Sequence, residues 1–246
     1  MSEAGNRILI VGAGGLGVPA AIALSRAGIR DFAIMDPDPV ELSNLPRQII
    51  YGEATIGMPK VIAAAKFFAR NYADAAVEPL ITRLDEGNAA GTICGYGFVI
   101  DATDSPATKF LINDICVALG RTFVYGGVLG LTGQAMTILP GRTACLRCLF
   151  EQPPNEAEAA SCREAGIIGP VAGLIGEIQA AEAIAWARGR MPALAGTMLT
   201  LDSSETGRMR PIAIAARPGC GCGAAEFLSH DDRGRAHSSA PLNAVK

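Results

Sequence analysis

The sequence predicts an α/β fold with a doubly wound, mostly parallel sheet and helices on both faces. A short apolar run at 7–12 leads directly into a glycine-rich loop, and a helical pattern follows at 18–27. Apolar runs and helical segments then alternate through the first half of the chain. Such alternation is typical of parallel strands joined by right-handed helical crossovers.

The later elements are predicted from the same periodicities. In the first half they are a strand at 31–36, a helix at 56–72 interrupted near its start by Pro59, strands at 77–80 and 98–102, a helix at 107–119 and a strand at 122–125. After residue 126 they are a strand at 134–139, a mobile loop at 151–160, a long helix at 169–190 and strands at 198–202 and 211–215.

Composition and charge indicate a globular protein and exclude several classes. The chain has 246 residues, of which 50% are hydrophobic, and a net charge of −3, which gives no reason to expect nucleic acid or an anionic membrane as partner. No apolar run is long enough to span a membrane and no secretory signal layout is present, so we expect a cytoplasmic protein. The two histidines, His230 and His237, lie in the polar tail, which argues against a histidine base within the fold.

The glycine loop predicts a nucleotide-binding site of the Rossmann type. Gly12, Gly14, Gly15 and Gly17 stand in GAGGLG, which fits G-x-G-x-x-G and lets backbone amides approach a phosphate at a helix N-terminus. Asp36 ends the second strand, where an acid binds ribose in such units. The pattern alone leaves NAD, ATP and a glycine turn without a ligand open.

The residues beyond the second strand favour ATP. Asn44 and Arg47 stand three positions apart, and Lys60 follows at a helix start. A dehydrogenase needs a cation there only for a 2′-phosphate, whereas an enzyme that acts at phosphate needs Arg and Lys to hold the phosphate oxygens. Solvated surface charge is the alternative for both cations.

Two acids follow the strand predicted at 98–102. Asp101 and Asp104 stand at its carboxyl end, which is the side of a parallel sheet where ligands bind. A carboxylate there can hold Mg²⁺, which takes few protein ligands and keeps several waters. The alternative for Asp104 is an N-cap of the following helix.

The cysteines point to metal or thiol chemistry rather than to disulfides, because seven of them occur in a chain without a secretory signal. Cys145 and Cys148 form C-x-x-C, and Cys220 and Cys222 form C-x-C. Four thiolates from two turns make a structural zinc site. We therefore predict that a C-terminal strand section and a tetra-Cys zinc site extend the sheet, with a redox pair or unused thiols as the alternatives.

Taken together, the motifs resemble the ThiF/MoeB/HesA family, bacterial relatives of the ubiquitin-activating enzymes. The resemblance covers about 7–223. It rests on GAGGLG at 12–17, D-x-D-x-V-x-x-S-N-L-x-R-Q at 36–48, G-x-P-K at 57–60, D-x-T-D at 101–104, GGV at 126–128, GQ at 133–134, CLRC at 145–148, SC at 161–162 and AGIIGP at 165–170.

The resemblance implies an adenylyltransferase. Members use ATP and Mg²⁺ to adenylate the C-terminal glycine carboxylate of a small ubiquitin-like sulfur-carrier protein, and they form homodimers. The implied layout is a single adenylation domain at 1–228, with a nucleotide-binding half at 7–125 and a carrier-binding and zinc-binding half at 126–228. The remaining residues, 229–246, are predicted to be a disordered tail.

The resemblance also assigns roles to the candidate residues. The substrate carboxylate is itself the nucleophile, so catalysis is positioning plus stabilisation of phosphate charge. The glycine loop and Asp36 would bind the nucleotide, Asn44, Arg47 and Lys60 the phosphates, and Asp104 the Mg²⁺, while Gln48 would shape the pocket and Asp101 would be structural.

Three cysteines remain outside the predicted zinc site. Cys162 follows the predicted mobile loop, and in some family members the cysteine here forms a covalent link to the carrier or takes part in sulfur transfer. Arg163 beside it favours a thiolate. An idle thiol is the alternative. Cys94 and Cys116 lie among apolar residues and are predicted to be buried.

The sequence departs from the family pattern in places, and other functions stay open. Few residues precede the first strand, whereas typical members carry an N-terminal segment whose arginine reaches into the partner subunit's ATP site. Adenylation would therefore be slower, use another cation or be lost. No rhodanese domain follows, which implies a separate sulfur donor. The alternatives are activation of another carboxylate or a tRNA base, a nicotinamide-dependent oxidoreductase, and a non-catalytic carrier-binding protein.

Overall fold

A computed structural model describes residues 7–72, 75–153, 166–204 and 207–222 of the chain. Its strands are β1 Ile8–Val11, β2 Asp31–Met35, β3 Ala76–Leu80, β4 Phe98–Asp101, β5 Thr122–Leu129, β6 Thr132–Ile138, β7 Thr197–Asp202 and β8 Arg208–Ala213. Its α-helices are α1 Gly17–Arg26, α2 Lys60–Asn71, α3 Ala89–Ile93, α4 Pro106–Leu119, α5 Leu146–Leu149 and α6 Gly169–Ala187.

The strands form one sheet in the order β3-β2-β1-β4-β5-β6-β7-β8. The first five strands in this order pair in parallel, and β6, β7 and β8 are added as antiparallel strands. From β1 the chain first adds strands on one side, β2 and β3, and then crosses to the other side to add β4 and β5. Doubly wound folds bind their ligands at this switch point between β1 and β4. The predicted fold class, including the C-terminal strand section, is confirmed.

The sheet is covered on both faces, which explains why the central strand β1 is apolar along its whole length. Successive residues of β1 point to opposite layers. Ile8 and Ile10 belong to the layer that contains α1 and α6, and Leu9 and Val11 belong to the layer that contains α3 and α4. All four side chains are buried.

The long helix α6 lies against the start of α1 at close range. A Cβ placed on Gly176 would come within 2.3 Å of the carbonyl oxygen of Leu16. Only glycine allows this approach. The contact holds α6 directly behind the glycine loop.

Several boundaries differ from the prediction for local physical reasons. The helix predicted at 56–72 begins only at Lys60, because Pro59 has an extended backbone and forms an isolated bridge with Pro39. The strand predicted at 122–125 extends to Leu129 as one arm of a hairpin with β6. The short helices α3 and α5 were not predicted.

Other predictions cannot be compared directly with the described residues. Most of the loop predicted at 151–160 lies outside them, and so do Cys162 and the tail at 229–246. Among the described helices, none combines the length and the apolar character that a membrane span requires.

Candidate functional site

A cleft of about 220 Å³ opens at the carboxyl ends of β1, β2 and β4. It brings together every nucleotide-site residue predicted from the sequence except Gly17, which lies directly behind it. Its walls include Gly12, Gly14, Gly15, Asp36, Asn44, Arg47, Gln48, Lys60 and Asp104.

The glycines of the loop are required for different structural reasons. Gly12 has a positive φ of 108°, and a Cβ there would lie 2.5 Å from the carbonyl oxygen of Ala102. A Cβ on Gly17 would lie 1.8 Å from the carbonyl oxygen of Gly12, so both positions are fixed by the fold. A Cβ on Gly14 would meet only the side-chain nitrogen of Gln48, at 3.6 Å. Gly14 therefore leaves open space on the cleft side, as the close approach of a phosphate requires.

Asp36 lies at the base of the cleft and is almost completely buried. Its Oδ2 accepts a hydrogen bond from the amide of Ala13 at 2.8 Å, and its Oδ1 accepts one from the amide of Asp38 at 2.8 Å. Burial raises the pKa of Asp36, and the Ala13 amide and Lys60 offset this in part. The carboxylate thus links the end of β2 to the glycine loop, where a ribose-binding acid belongs.

The two predicted cations approach the cleft from different elements. Arg47 ends a short 3-10 helix at Leu42–Arg47 and donates to the side-chain oxygen of Asn44 at 2.8 Å and to the carbonyl oxygen of Ser43 at 2.9 Å. Lys60, only 6% exposed, donates to Asp38 at 3.1 Å and lies 3.8 Å from Asp36. A buried and oriented lysine is not solvated surface charge, so the functional interpretation of Lys60 is the stronger one.

Asp104 is an exposed residue of the cleft wall, and the helix-cap alternative for it is wrong. The N-cap of α4 is Ser105, whose hydroxyl accepts a hydrogen bond from the amide of Thr108 at 3.3 Å. The Asp104 carboxylate is therefore not used as the cap and is left at the cleft, where a Mg²⁺ ligand would be needed. Asp101 is fully buried and paired with Lys109, in agreement with a structural role.

Gln48 is a buried polar residue of the cleft, and its side-chain oxygen has no hydrogen-bond partner among the described residues. An unsatisfied buried acceptor costs roughly 1–3 kcal/mol, so it marks a place where a ligand or water supplies the missing donor. The predicted pocket-shaping role agrees with this position.

Sequence reasoning missed several residues of the cleft wall. Arg83 follows β3 and lies 3.8 Å from Asp38, and Glu41, Thr103 and Thr108 also line the cleft. The signal that could have found Arg83 is its place just beyond the carboxyl end of a parallel strand. Arg7, in contrast, precedes β1 at the opposite edge of the sheet and is engaged by Asp31 and Glu78.

The second cluster of functional side chains is formed by the four predicted zinc ligands. The sulfurs of Cys145, Cys148, Cys220 and Cys222 all lie within 4.8 Å of one another. The Cys145–Cys220 and Cys148–Cys222 separations are 3.7 Å and 3.4 Å. Sulfurs bound tetrahedrally to one zinc at 2.3 Å stand about 3.8 Å apart. The donor set therefore fits a single zinc ion, and the shortened C-x-C pair still converges on the C-x-x-C pair.

The electrostatics of the cluster also suit a metal. The pKa of Cys148 is lowered to about 7. Burial by itself would raise this pKa, but hydrogen bonds from the backbone of Arg217 and Cys145 to the sulfur outweigh that effect. Burial raises the pKa of Cys145 to about 11. A Zn²⁺ bound among these thiols would favour the thiolate form of all four, since a metal ligand must be deprotonated.

Two of the remaining cysteines can be located in the structure. Cys116 is buried in the layer of α3 and α4, as predicted, and burial raises its pKa. Cys94 is exposed, so the prediction that it is buried is wrong. It directly follows Ile93, the last residue of α3, whose side chain is fully buried.

The comparisons with known proteins agree with this geometry. The model of the ThiF family matches residues 4–223. The chain is 43% identical over 181 residues to the "Adenylyltransferase and sulfurtransferase UBA4" of Candida albicans, covering 73% of this chain and 41% of that protein. It is 36% identical over 200 residues to the "SAMP-activating enzyme E1" of Haloferax volcanii, covering 81% and 74%. The chain spans less than half the length of the first of these relatives.

Solved structures show the same fold. The structure of Escherichia coli MccB with ATP superposes with a TM-score of 0.75 and covers 89% of this chain and 67% of that one. The sequences share only 19% identity, so this likeness concerns the fold alone.

Proposed function

Because the chain belongs to the ThiF family, we propose that it activates the C-terminal carboxylate of a small ubiquitin-like sulfur-carrier protein as an acyl adenylate. The observation that carries the proposal is the convergence of a glycine loop, two cations and an acid on one cleft at the sheet edge. Relatives of up to 43% identity are named as adenylyltransferases or as an activating enzyme, which supports this reaction class.

In the proposed reaction the cleft holds ATP and the carrier's tail reaches it from the β5–β6 side. A carboxylate oxygen of the tail attacks the α-phosphorus, and the bond from that phosphorus to the bridging oxygen of pyrophosphate breaks. The carboxylate is already ionised, so no protein group has to accept a proton. This agrees with the lack of histidine between Met1 and Ser229.

Each cleft residue then has a role that its position supports. The glycine loop receives phosphate oxygens and Asp36 the ribose hydroxyls. Arg47, oriented by Asn44, and Lys60 stabilise the charge that develops on the phosphates. Asp104 would hold Mg²⁺, which offsets the charge of the departing pyrophosphate when bound.

The four cysteines would hold a structural Zn²⁺ that joins the end of the described chain to α5. All four positions are filled by protein thiolates, so such an ion has no open position for a substrate. Cys162 lies outside the described residues, and its covalent role stays a proposal.

We further propose a homodimer and a separate sulfur donor. The exposed apolar side chains Ile168 and Leu174, at and near the start of α6, support a protein contact on this face. Sedimentation velocity tests the dimer: a monomer at micromolar concentration in the presence of ATP would contradict it.

The activity is tested by intact-mass spectrometry of a candidate carrier that ends in Gly-Gly. After incubation with the chain, ATP and Mg²⁺, we expect carrier that is heavier by one AMP group, and none with Asp104→Asn. Nucleotide titration separates the main alternative. Tight binding of NAD(H) without binding of ATP would indicate an oxidoreductase and overturn the proposal.

A further inference from the structure

A buried charge pair lies next to the cleft, and the proposed reaction does not use it. Lys109 of α4 is 12% exposed, and its ammonium lies 3.3 Å from both carboxylate oxygens of Asp101, which is fully buried. Taking two such charges out of water costs several kcal/mol per ion, and apolar side chains of similar volume would serve packing alone as well or better. The pair therefore calls for a reason beyond packing.

The partners of the pair supply that reason, because they belong to two different walls. Asp101 accepts hydrogen bonds from the amide and the hydroxyl of Thr103, at 3.1 and 2.7 Å. It thereby shapes the turn that carries Asp104 into the cleft. The Lys109 ammonium also donates to the carbonyl oxygen of Gly126 in β5 at 2.5 Å, and it lies 5.1 Å from the ring centre of Tyr125.

The strand side of this connection is held from behind. Gln179 of α6 donates to the main-chain oxygens of Asp101 at 2.7 Å and Val124 at 3.3 Å. A Cβ on Gly126 would lie 2.5 Å from Gln179, so the strand has no side chain there and its backbone is held between Gln179 and Lys109. The carboxyl end of β4 and the middle of β5 are thus tied together by the Lys109 ammonium on one side and by Gln179 on the other.

We propose that Lys109 is a positioning residue that fixes the Asp104 turn relative to strand β5. The inference rests on the proposed function for its catalytic consequence, because Asp104 would hold the metal at the phosphates and β5 borders the side from which the carboxylate arrives. The other nucleotide contacts come from the glycine loop, Asp36, Arg47 and Lys60, which do not touch Lys109. Loss of the ammonium should therefore misplace the reacting groups while ATP still binds.

The positioning itself is tested without substrate, by hydrogen exchange of the free protein. In Lys109→Met, amides of peptides that cover 102–108 and 125–129 should exchange at least about tenfold faster, while those of α1 and β2 stay unchanged. Lys66→Met is the matched control, since Lys66 is an exposed lysine on α2 whose ammonium lies 3.8 Å from the sulfur of Met58. Unchanged exchange in both peptides would overturn the inference, whatever reaction the protein catalyses.

The catalytic consequence is tested by measuring the rate of adenylate formation, normalised to the concentration of protein that binds ATP. A displacement of about 1 Å can cost about 100-fold in rate, so kcat for adenylate formation should fall by about that factor in Lys109→Met, with the Kd of ATP within about threefold. The double variant Asp101→Asn/Lys109→Met removes the unpaired charge, and it should recover the melting temperature but not kcat. Recovery of kcat in the double variant would show that the pair only maintains the fold. Failure of the wild-type protein to form adenylate would instead contradict the proposed function. The hydrogen-exchange measurement would still test whether Lys109 positions the Asp104 turn.

Discussion

The cleft and the cysteine cluster are built in opposite ways. The cleft gathers short segments that each follow a strand, and the parallel topology places all of them at one edge of the sheet. The cysteine cluster instead joins two turns that are distant in the sequence. The paired cysteines are 75 residues apart for Cys145 and Cys220, and 74 for Cys148 and Cys222. The cleft is therefore formed by backbone geometry before any ligand binds, whereas the cluster brings four thiols into contact that the proposed Zn²⁺ would hold as thiolates.

Removal of one cysteine ligand should have the largest effect on stability. Cys148→Ser is expected to abolish stoichiometric zinc and to lower the free energy of unfolding by about 4 kcal/mol or more, because metal binding at such a site is folding free energy. Metal content by mass spectrometry and unfolding in urea measure the two effects.

Cys94→Ser is the control for this change, since Cys94 is exposed and lies outside the cluster. Zinc bound at full stoichiometry in Cys148→Ser would contradict the assignment of the ligands. Equal destabilisation by both variants would show that the cluster is no more important than an isolated thiol.

Loss of a cleft cation should have the largest effect on activity. Lys60→Met is expected to lower kcat for adenylate formation by about 10²–10³-fold, because a preorganised donor to developing phosphate charge is removed. Steady-state kinetics with a carrier measure this, and the zinc content should not change. If the variant kept the wild-type kcat, Lys60 would not contact the phosphates in the transition state.

The glycine loop allows the backbone and ligand contributions to be separated. Gly17→Ala places a Cβ 1.8 Å from a backbone oxygen, so we expect a loss of about 3 kcal/mol in unfolding free energy. Gly14→Ala has room for its Cβ and should keep its melting temperature while it binds ATP more weakly. Thermal unfolding with and without ATP measures both. The reverse pattern, with Gly14→Ala unstable, would contradict the account of the loop.

The smallest expected effect concerns the connection between the two regions. Arg147, between Cys145 and Cys148, donates two hydrogen bonds of 2.7 Å to Asp114 of α4. Both side chains are more than a third exposed, so Arg147→Met should cost about 1 kcal/mol or less. A double-mutant cycle with Asp114→Asn in urea measures the pair. A coupling of several kcal/mol would mean that the two regions are not built independently.

The contrast between the two regions explains how much the sequence could predict. The glycine loop, Asp36 and the cations were predictable because each stands in a local motif whose place follows from strand topology. The convergence of the cysteines could only be proposed from residue type, because a shortened C-x-C leaves the long-range geometry open.

The residues that were missed depend on tertiary contacts. Glu182 of α6 is buried although its side chain carries a carboxylate. The Glu182 carboxylate accepts hydrogen bonds from Thr137 and from the amides of Ala193 and Leu194. Periodicity cannot reveal such partners, since they come from distant segments. Lys109 was not singled out for the same reason.

If the cleft uses ATP and a carrier carboxylate together, the chain exchanges pyrophosphate into ATP in a carrier-dependent way, which an isotope-exchange assay measures. The chain is incubated with ATP, Mg²⁺, labelled pyrophosphate and a carrier that ends in Gly-Gly. We predict label in ATP only when the carrier is present, and its loss in Asp104→Asn and Lys60→Met. Exchange that does not depend on the carrier, or no exchange with any carrier despite tight ATP binding, would contradict the claim.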